Sequence, residues 1–243
     1  LRALRHQLER YHTEQDQAGT KLALTNLDHP DRFIRFAARV ALENQALFKW
    51  ETEVIRSGSP DGLLALARVG TPASQADLVE AVCESIKQGQ VDDQTLLTFL
   101  RALQISFIRQ GEPKKGTLII VNDTLNRLYP SLSREANHEL CELLVYLETP
   151  HIIDRTLTLL EESTDTRDWS HYLVYLRYVE KGWTTERRER YLKALRRFEE
   201  FPGGRWYVRT AQDLRTEAVA ALTEAEKAAV SYTHLRAHET RRY

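Results

Sequence analysis

The chain contains no methionine, so it carries no initiator of its own, and residue 1 reads as an internal cut in a longer protein. Cysteine is scarce: Cys83 and Cys141 are the only thiols among 243 residues. No Cys-x-x-Cys pair occurs, which removes the usual structural-zinc pattern. Long apolar runs are missing as well. Leu118-Ile119-Ile120-Val121 is far short of the roughly 20 residues a membrane-spanning helix needs, and it reads as a core turn of a helix. No charged-then-apolar leader opens the chain. Charge of one sign is absent too: 34 basic against 35 acidic residues leave a net of −1, so there is no strongly basic field to hold nucleic acid. Strand-like alternation is hard to find. No glycine-rich phosphate loop follows a strand, and no Gly-x-Ser-x-Gly elbow appears.

What is present is helical periodicity almost everywhere, with 42% hydrophobic residues, enough for a sizeable core. The pattern predicts helices over residues 1–12, 20–27, 30–45, 49–56, 60–69, 73–88, 92–109, 117–128, 134–147, 149–162, 166–181, 187–201 and 206–222. A last helix begins at Thr223. The breaks have a local cause: Ser57-Gly58-Ser59-Pro60, Gly70-Thr71-Pro72, Gly111-Glu112-Pro113, Tyr129-Pro130 and Pro202-Gly203-Gly204. Pairs of helices recur about every 35–45 residues, the spacing of HEAT and armadillo units. No flexible linker marks a domain boundary, so the expected fold is all-α, a continuous α-solenoid of degenerate HEAT/armadillo-like helix pairs over residues 1–229.

The clearest unit is His29-Pro30-Asp31-Arg32-Phe33-Ile34-Arg35-Phe36-Ala37-Ala38-Arg39-Val40-Ala41-Leu42-Glu43. Pro30 suits a first turn, and Asp28 or Asp31 can cap its free amides. Phe33, Ile34, Ala37, Ala38 and Ala41 are expected on one face, and Arg32, Arg35, Arg39 and Glu43 on another. The small residues let a neighbouring helix approach closely. The segment resembles the second helix of a HEAT repeat. That resemblance implies a ladder role for Arg35, pairing with an Asp or a carbonyl of the adjacent repeat. Arg32 and Arg39 are expected to be solvated, to pair with Glu43, or to meet an acidic partner.

Other chemistry-bearing residues read as structural. His138 and Cys141 share a helix face, but no second ligand pair lies nearby, so no metal site is expected. His151 and His171 are lone residues, expected at a helix start or on the surface. Cys83 sits among Val79, Val82 and Ile86, and Cys141 among Leu140, Leu143 and Leu144. Each reads as a free buried thiol, and their spacing leaves a disulfide open. The acidic pairs Asp92-Asp93, Glu161-Glu162 and Glu199-Glu200 lie at helix ends, and nothing sets them across a cleft. Trp169, Tyr172, Tyr175, Tyr178, Trp183 and Tyr191 form an aromatic stripe that could grip a partner, with core packing between two long helices the favoured reading. Gly203-Gly204-Arg205-Trp206-Tyr207 is the best local case for an exposed interaction loop. Catalytic, cofactor-binding and metal residues are therefore expected to be none. The candidate interaction residues are Arg32, Arg39, Arg205, Trp206 and Tyr207.

Val230-Ser231-Tyr232-Thr233-His234-Leu235-Arg236-Ala237-His238-Glu239-Thr240 resembles the translation of a transposon-type sequencing adaptor. Residues 230–243 are therefore read as a non-native tail, and His234 and His238 are set aside despite metal-like spacing. Without Arg236, Arg241, Arg242 and Glu239 the body holds 31 basic and 34 acidic residues.

Four segments together carry a wider resemblance: residues 29–43, Leu64-Ala65-Leu66-Ala67-Arg68-Val69-Gly70, Leu143-Leu144-Val145-Tyr146-Leu147-Glu148-Thr149-Pro150 and Gly182-Trp183-Thr184. In that order they look like the helical middle of large bacterial membrane-bound dehydrogenase-like or HEAT-repeat c-type cytochromes. In that family a β-propeller precedes the helices and a c-type haem domain follows. The haem motif Cys-x-x-Cys-His is absent here, and neither Cys83 nor Cys141 fits it, so no haem residue carries over. The resemblance implies an exported, non-catalytic spacer without its own cofactor. It would position dehydrogenase-like and haem domains and dock protein, with no direct membrane insertion. The rival expectation is a cytoplasmic HEAT-like module that recruits a protein partner.

Overall fold

The structure, a computed structural model, describes residues 1–89, 91–202 and 205–229, with backbone alone at residues 205, 206 and 229. Among the described residues there are 14 α-helices and no strand. They run α1 Arg2–Arg10, α2 Gln17–Thr25, α3 Arg32–Asn44, α4 Glu51–Ser57, α5 Pro60–Val69, α6 Gln75–Lys87, α7 Asp93–Gln110, α8 Lys115–Leu128, α9 Arg134–Tyr146, α10 Ile152–Glu162, α11 Thr166–Leu176, α12 Thr185–Glu199, α13 Arg205–Ala220 and α14 Glu224–Ala229. A single 3₁₀ turn, Leu47–Lys49, precedes α4. None of the described helices is long and apolar enough to cross a membrane.

Short polar side chains start most of these helices by satisfying amides that have no partner inside the helix. Asp16 accepts from Gly19 N at 2.5 Å, Asp31 from Phe33 N at 2.8 Å, Asp92 from Thr95 N at 2.8 Å and Asp165 from Arg167 N at 2.8 Å. Ser59, Ser133 and Thr184 do the same for α5, α9 and α12. Thr223 and Glu226 exchange bonds in a capping box at α14. Asp31, not Asp28, caps α3, which places Pro30 just outside the helix. Asp28 instead accepts from Ser59 Oγ at 2.8 Å.

The chain divides into two compact units, residues 1–128 and 129–243. In the first, helices two apart in sequence pack on one another: α3 on α5, α5 on α7, α4 on α6 and α6 on α8. Sequential neighbours pack as well, α4 on α5 and α5 on α6, while α1 and α2 both lie against α3. Helix α5 is the most enclosed, with Gly62 through Ala67 all buried. A Cβ at Gly62 would meet both Val54 methyls at 3.0 Å and Leu27 Cδ1 at 3.2 Å, so α4 closes on α5 only because that side chain is missing. In the second unit α9 packs on α11, α10 on α11 and α12, and α12 on α11 and α13. Its core is Leu140, Leu144, Leu157, Leu160, Trp169, Leu173, Leu176, Tyr191, Leu195 and Phe198, all buried. Each such side chain contributes roughly 1.5–3 kcal/mol through burial alone.

Three sequence expectations are corrected. Helix α11 ends at Leu176 rather than near Lys181. The following chain turns so that Val179 O accepts the Trp183 indole N–H at 2.7 Å, a bond a continued helix would not leave open. Ile119 and Ile120 are exposed, and of that apolar run only Val121 is fully buried. Phe33 also faces out, with 54% of its surface exposed. The inward face of α3 is Ile34, Ala37, Ala38, Ala41 and Leu42.

Candidate interaction surface

The three arginines of α3 have three different environments. Arg35 donates from Nη1 to His29 O at 2.8 Å and to Pro30 O at 3.0 Å, and its Nε stands 3.3 Å from Asp61 Oδ2 at the start of α5. Burial pushes the Asp61 carboxyl up, against the pull of Arg39 and Arg35. Arg39 is largely enclosed. Its Nε lies 3.6 Å from Glu43 Oε1, while Arg68 Nε from α5 reaches the same oxygen at 2.7 Å. Neither contact has hydrogen-bond alignment at that oxygen, so Glu43 holds the two guanidiniums by Coulomb attraction. Arg32 is exposed and lies over the Phe33 ring at 4.7 Å. The expected row is therefore split: Arg35 and Arg39 face α5, and Arg32 faces out.

Phe33 and Phe36 are one turn apart on α3 and more than half exposed, at 54% and 55%. Arg39 lies over the Phe36 ring at 5.3 Å. With α1 they wall a groove of about 440 Å³ lined by Arg5, Glu9, His12, Arg32, Phe33 and Phe36. His12 Nε2 bonds Ala37 O at 3.0 Å, which fixes α1 against α3 beneath the rings.

The second unit holds a polar cluster that sequence reasoning missed. Arg134 and His138 from α9 meet Asp168 and His171 from α11. Asp168 Oδ1 accepts from Arg134 Nε at 2.7 Å and from His138 Nε2 at 2.8 Å, and Oδ2 accepts from Ser163 Oγ at 2.6 Å. Burial raises the Asp168 carboxyl, but those three donors outweigh it and hold it below the ordinary range. The His171 ring stacks on His138 at 4.1 Å and 12°, and bonds His138 O from Nε2 at 3.0 Å. A carbonyl only accepts, so that nitrogen carries the proton. Burial and the neighbouring His138 bring His171 down to about 4. Tyr175 OH donates to Glu142 Oε2 at 2.5 Å, and burial raises its phenol. The cluster joins α9 to α11 and keeps His171 neutral, and no group of three metal-capable side chains forms among the described residues. The signal lay in two faces: Arg134, His138 and Cys141 at i, i+4, i+7, and Asp168, His171, Tyr172 and Tyr175 at i, i+3, i+4, i+7. His171, expected at a helix start or on the surface, is half-buried against α9.

Of the aromatic stripe, Trp169, Tyr172 and Tyr191 are core, Tyr175 and Trp183 are half-buried, and Tyr178 is exposed. Tyr207 lies in α13 and packs edge-on against Phe198 at 5.7 Å. Gly203, Gly204, the side chains of Arg205 and Trp206, and the tail 230–243 lie outside the described residues. Both cysteines are free and buried. Cys141 is pushed up to about 12 by burial. His151 is exposed at the start of α10. Glu161 is taken by Arg190, at 2.8 Å, and Glu199 by Arg215, at 3.4 Å.

Ion pairs link helices two apart along both units. They include Arg35–Asp61 and Arg68–Glu43 between α3 and α5, and Arg134–Asp165 and Arg134–Asp168 between α9 and α11. Arg187–Asp154 and Arg190–Glu161 join α10 to α12, and Arg177–Glu217 joins α11 to α13. No family model, curated protein or solved structure matches this chain.

Proposed function

We propose that this chain is a non-catalytic helical-repeat scaffold of the HEAT/armadillo kind that docks protein. The observation that carries the reading is the recurrence of charged links between helices two apart, with partners about 25 to 40 residues apart in sequence. In a repeat array each unit buries its face only against its neighbours, so links of this period join one repeat to the next. Arg35 has the ladder role in this reading, since it ties the turn before α3 to α5. Titratable groups are spent on holding helices together: Asp168, Asp154 and Glu161 each accept from an arginine on another helix, and Glu43 pairs with Arg68 of α5 by charge.

The setting we propose is an exported multidomain redox protein, in which the scaffold separates a dehydrogenase-like propeller from a haem domain. Its support is the resemblance of the four quoted segments. The gene on either side tests it. A reading frame that continues into a propeller upstream and a Cys-x-x-Cys-His downstream is expected. A frame encoding these helices alone would reject the redox setting and leave a protein-recruiting module.

A further inference from the structure

We infer that the α1/α3 face binds an acidic amphipathic helix of a partner protein. This rests on the scaffold reading above and names its partner. Phe33 and Phe36 are spaced i, i+3, the period with which one helix presents a ridge to another. The Arg32 guanidinium lies over the Phe33 ring at 4.7 Å and that of Arg39 over the Phe36 ring at 5.3 Å. The groove they wall is bounded by a second helix, and the pocket next to it, of about 420 Å³, shares Arg5, Glu9 and Phe33 and adds Arg2. An apolar trough between two helices takes the i, i+3, i+4, i+7 face of a third.

The charges select the partner. The two carboxylates beside the groove are already engaged. Glu9 accepts from Arg5 at 2.6 Å and contacts His6 at 3.1 Å, and Asp31 caps α3. Among the described residues neither Arg2 nor Arg32 has a carboxylate within ion-pair distance. Two guanidiniums without a carboxylate partner, beside two exposed phenyl rings, complement an apolar stripe flanked by carboxylates. The cations are too few and the trough too apolar to hold a nucleic acid backbone.

The test uses the full chain and a fluorescent 18-residue helical peptide with leucine at i, i+3, i+4 and i+7 and glutamate on both flanks. A second peptide carries lysine in place of glutamate. Anisotropy titration is expected to show saturable binding of the acidic peptide and at least tenfold weaker binding of the basic one. Phe33→Ala with Phe36→Ala should weaken the acidic peptide at least about 30-fold, the loss of a hot spot. Arg32→Glu should weaken it without removing a ring. Phe48→Ala, an exposed ring in a different groove, should leave it unchanged. Phe33 and Phe36 point outward, so a preserved circular dichroism spectrum and urea midpoint are expected for the double variant. Failure to bind, equal binding of both peptides, or loss of binding in Phe48→Ala overturns the inference. So does self-association of the chain that the Phe33→Ala, Phe36→Ala variant abolishes, since the occupant would then be a second copy. Any of these results leaves the scaffold reading to the gene and exchange tests.

Discussion

Replacing Asp168 tests whether the link between α9 and α11 is a carboxylate clamp. The side chain is buried and accepts three bonds, two from groups that can carry charge. Removing it in Asp168→Ala strips His138 and Ser163 of those bonds outright. Arg134 loses less, because Asp165 Oδ2 stands 2.8 Å from its Nη1 and its side chain is 30% exposed. Bonds to charged groups contribute about 1.5–3 kcal/mol each, and removal of a desolvated carboxylate offsets part of the loss. The expected destabilisation is about 2–3 kcal/mol, a large share of a small domain's margin. Asp168→Asn keeps an acceptor for Arg134 and His138, and gives Ser163 a donor. Its expected cost is about 1 kcal/mol, the charge term alone. Urea unfolding at pH 7.5, followed by circular dichroism, reads both. An alanine variant within 0.5 kcal/mol of the parent, on the scale of an ordinary surface change, would refute the clamp. Equal losses for both variants would mean that the charge, not the bonding geometry, holds the helices.

Three further outcomes follow from the packing. Ala38 is fully buried where α3 meets its neighbours, so Ala38→Leu should cost about 1–3 kcal/mol by overpacking; an unchanged urea midpoint would contradict the close approach. The unfolded chain protonates His171 near pH 6.5, but the folded chain only near 4, so between those values the unfolded state holds the extra proton. Stability is then complete above pH 6.5 and falls by up to about 3 kcal/mol as the pH drops towards 4. His171→Phe should flatten that slope, and an unaltered slope would show that His171 is not its source. Cys83 and Cys141 are buried with raised thiols, so Ellman's reagent should react only as the chain unfolds; prompt labelling in native buffer would contradict their burial.

Helix positions were legible because their causes are local: a capping Asp, Ser or Thr, an apolar period, then Gly or Pro. The end of α11 was not, because the bond that replaces its last turn comes from Trp183, beyond the helix. Phe33 was misplaced for a related reason. Two adjacent apolar residues, Phe33 and Ile34, leave the inward face ambiguous, and the position of α1 and α5 decides it. That Arg35 pairs with an Asp and with backbone carbonyls could be expected because the turn before α3 has a recognisable pattern. The partner Asp61 could not, since 26 residues separate them. The histidine stack lay furthest out of reach. His138 and His171 sit on different helices, and each alone looks like an ordinary surface residue until α9 and α11 are laid face to face.

The central claim is that these helices form a repeat array in which each pair is stabilised by its neighbours. Native-state amide hydrogen exchange, read by mass spectrometry on the full chain carrying Ile34→Ala, tests it most directly. Ile34 is fully buried on α3, and its truncation should cost about 2–5 kcal/mol. The account predicts a graded loss of protection within residues 1–128. It should be greatest in α1, α2 and α3, smaller in α5, and slight in α7 and α8. Equal loss across all of those helices would contradict the array and identify an ordinary cooperative helical domain.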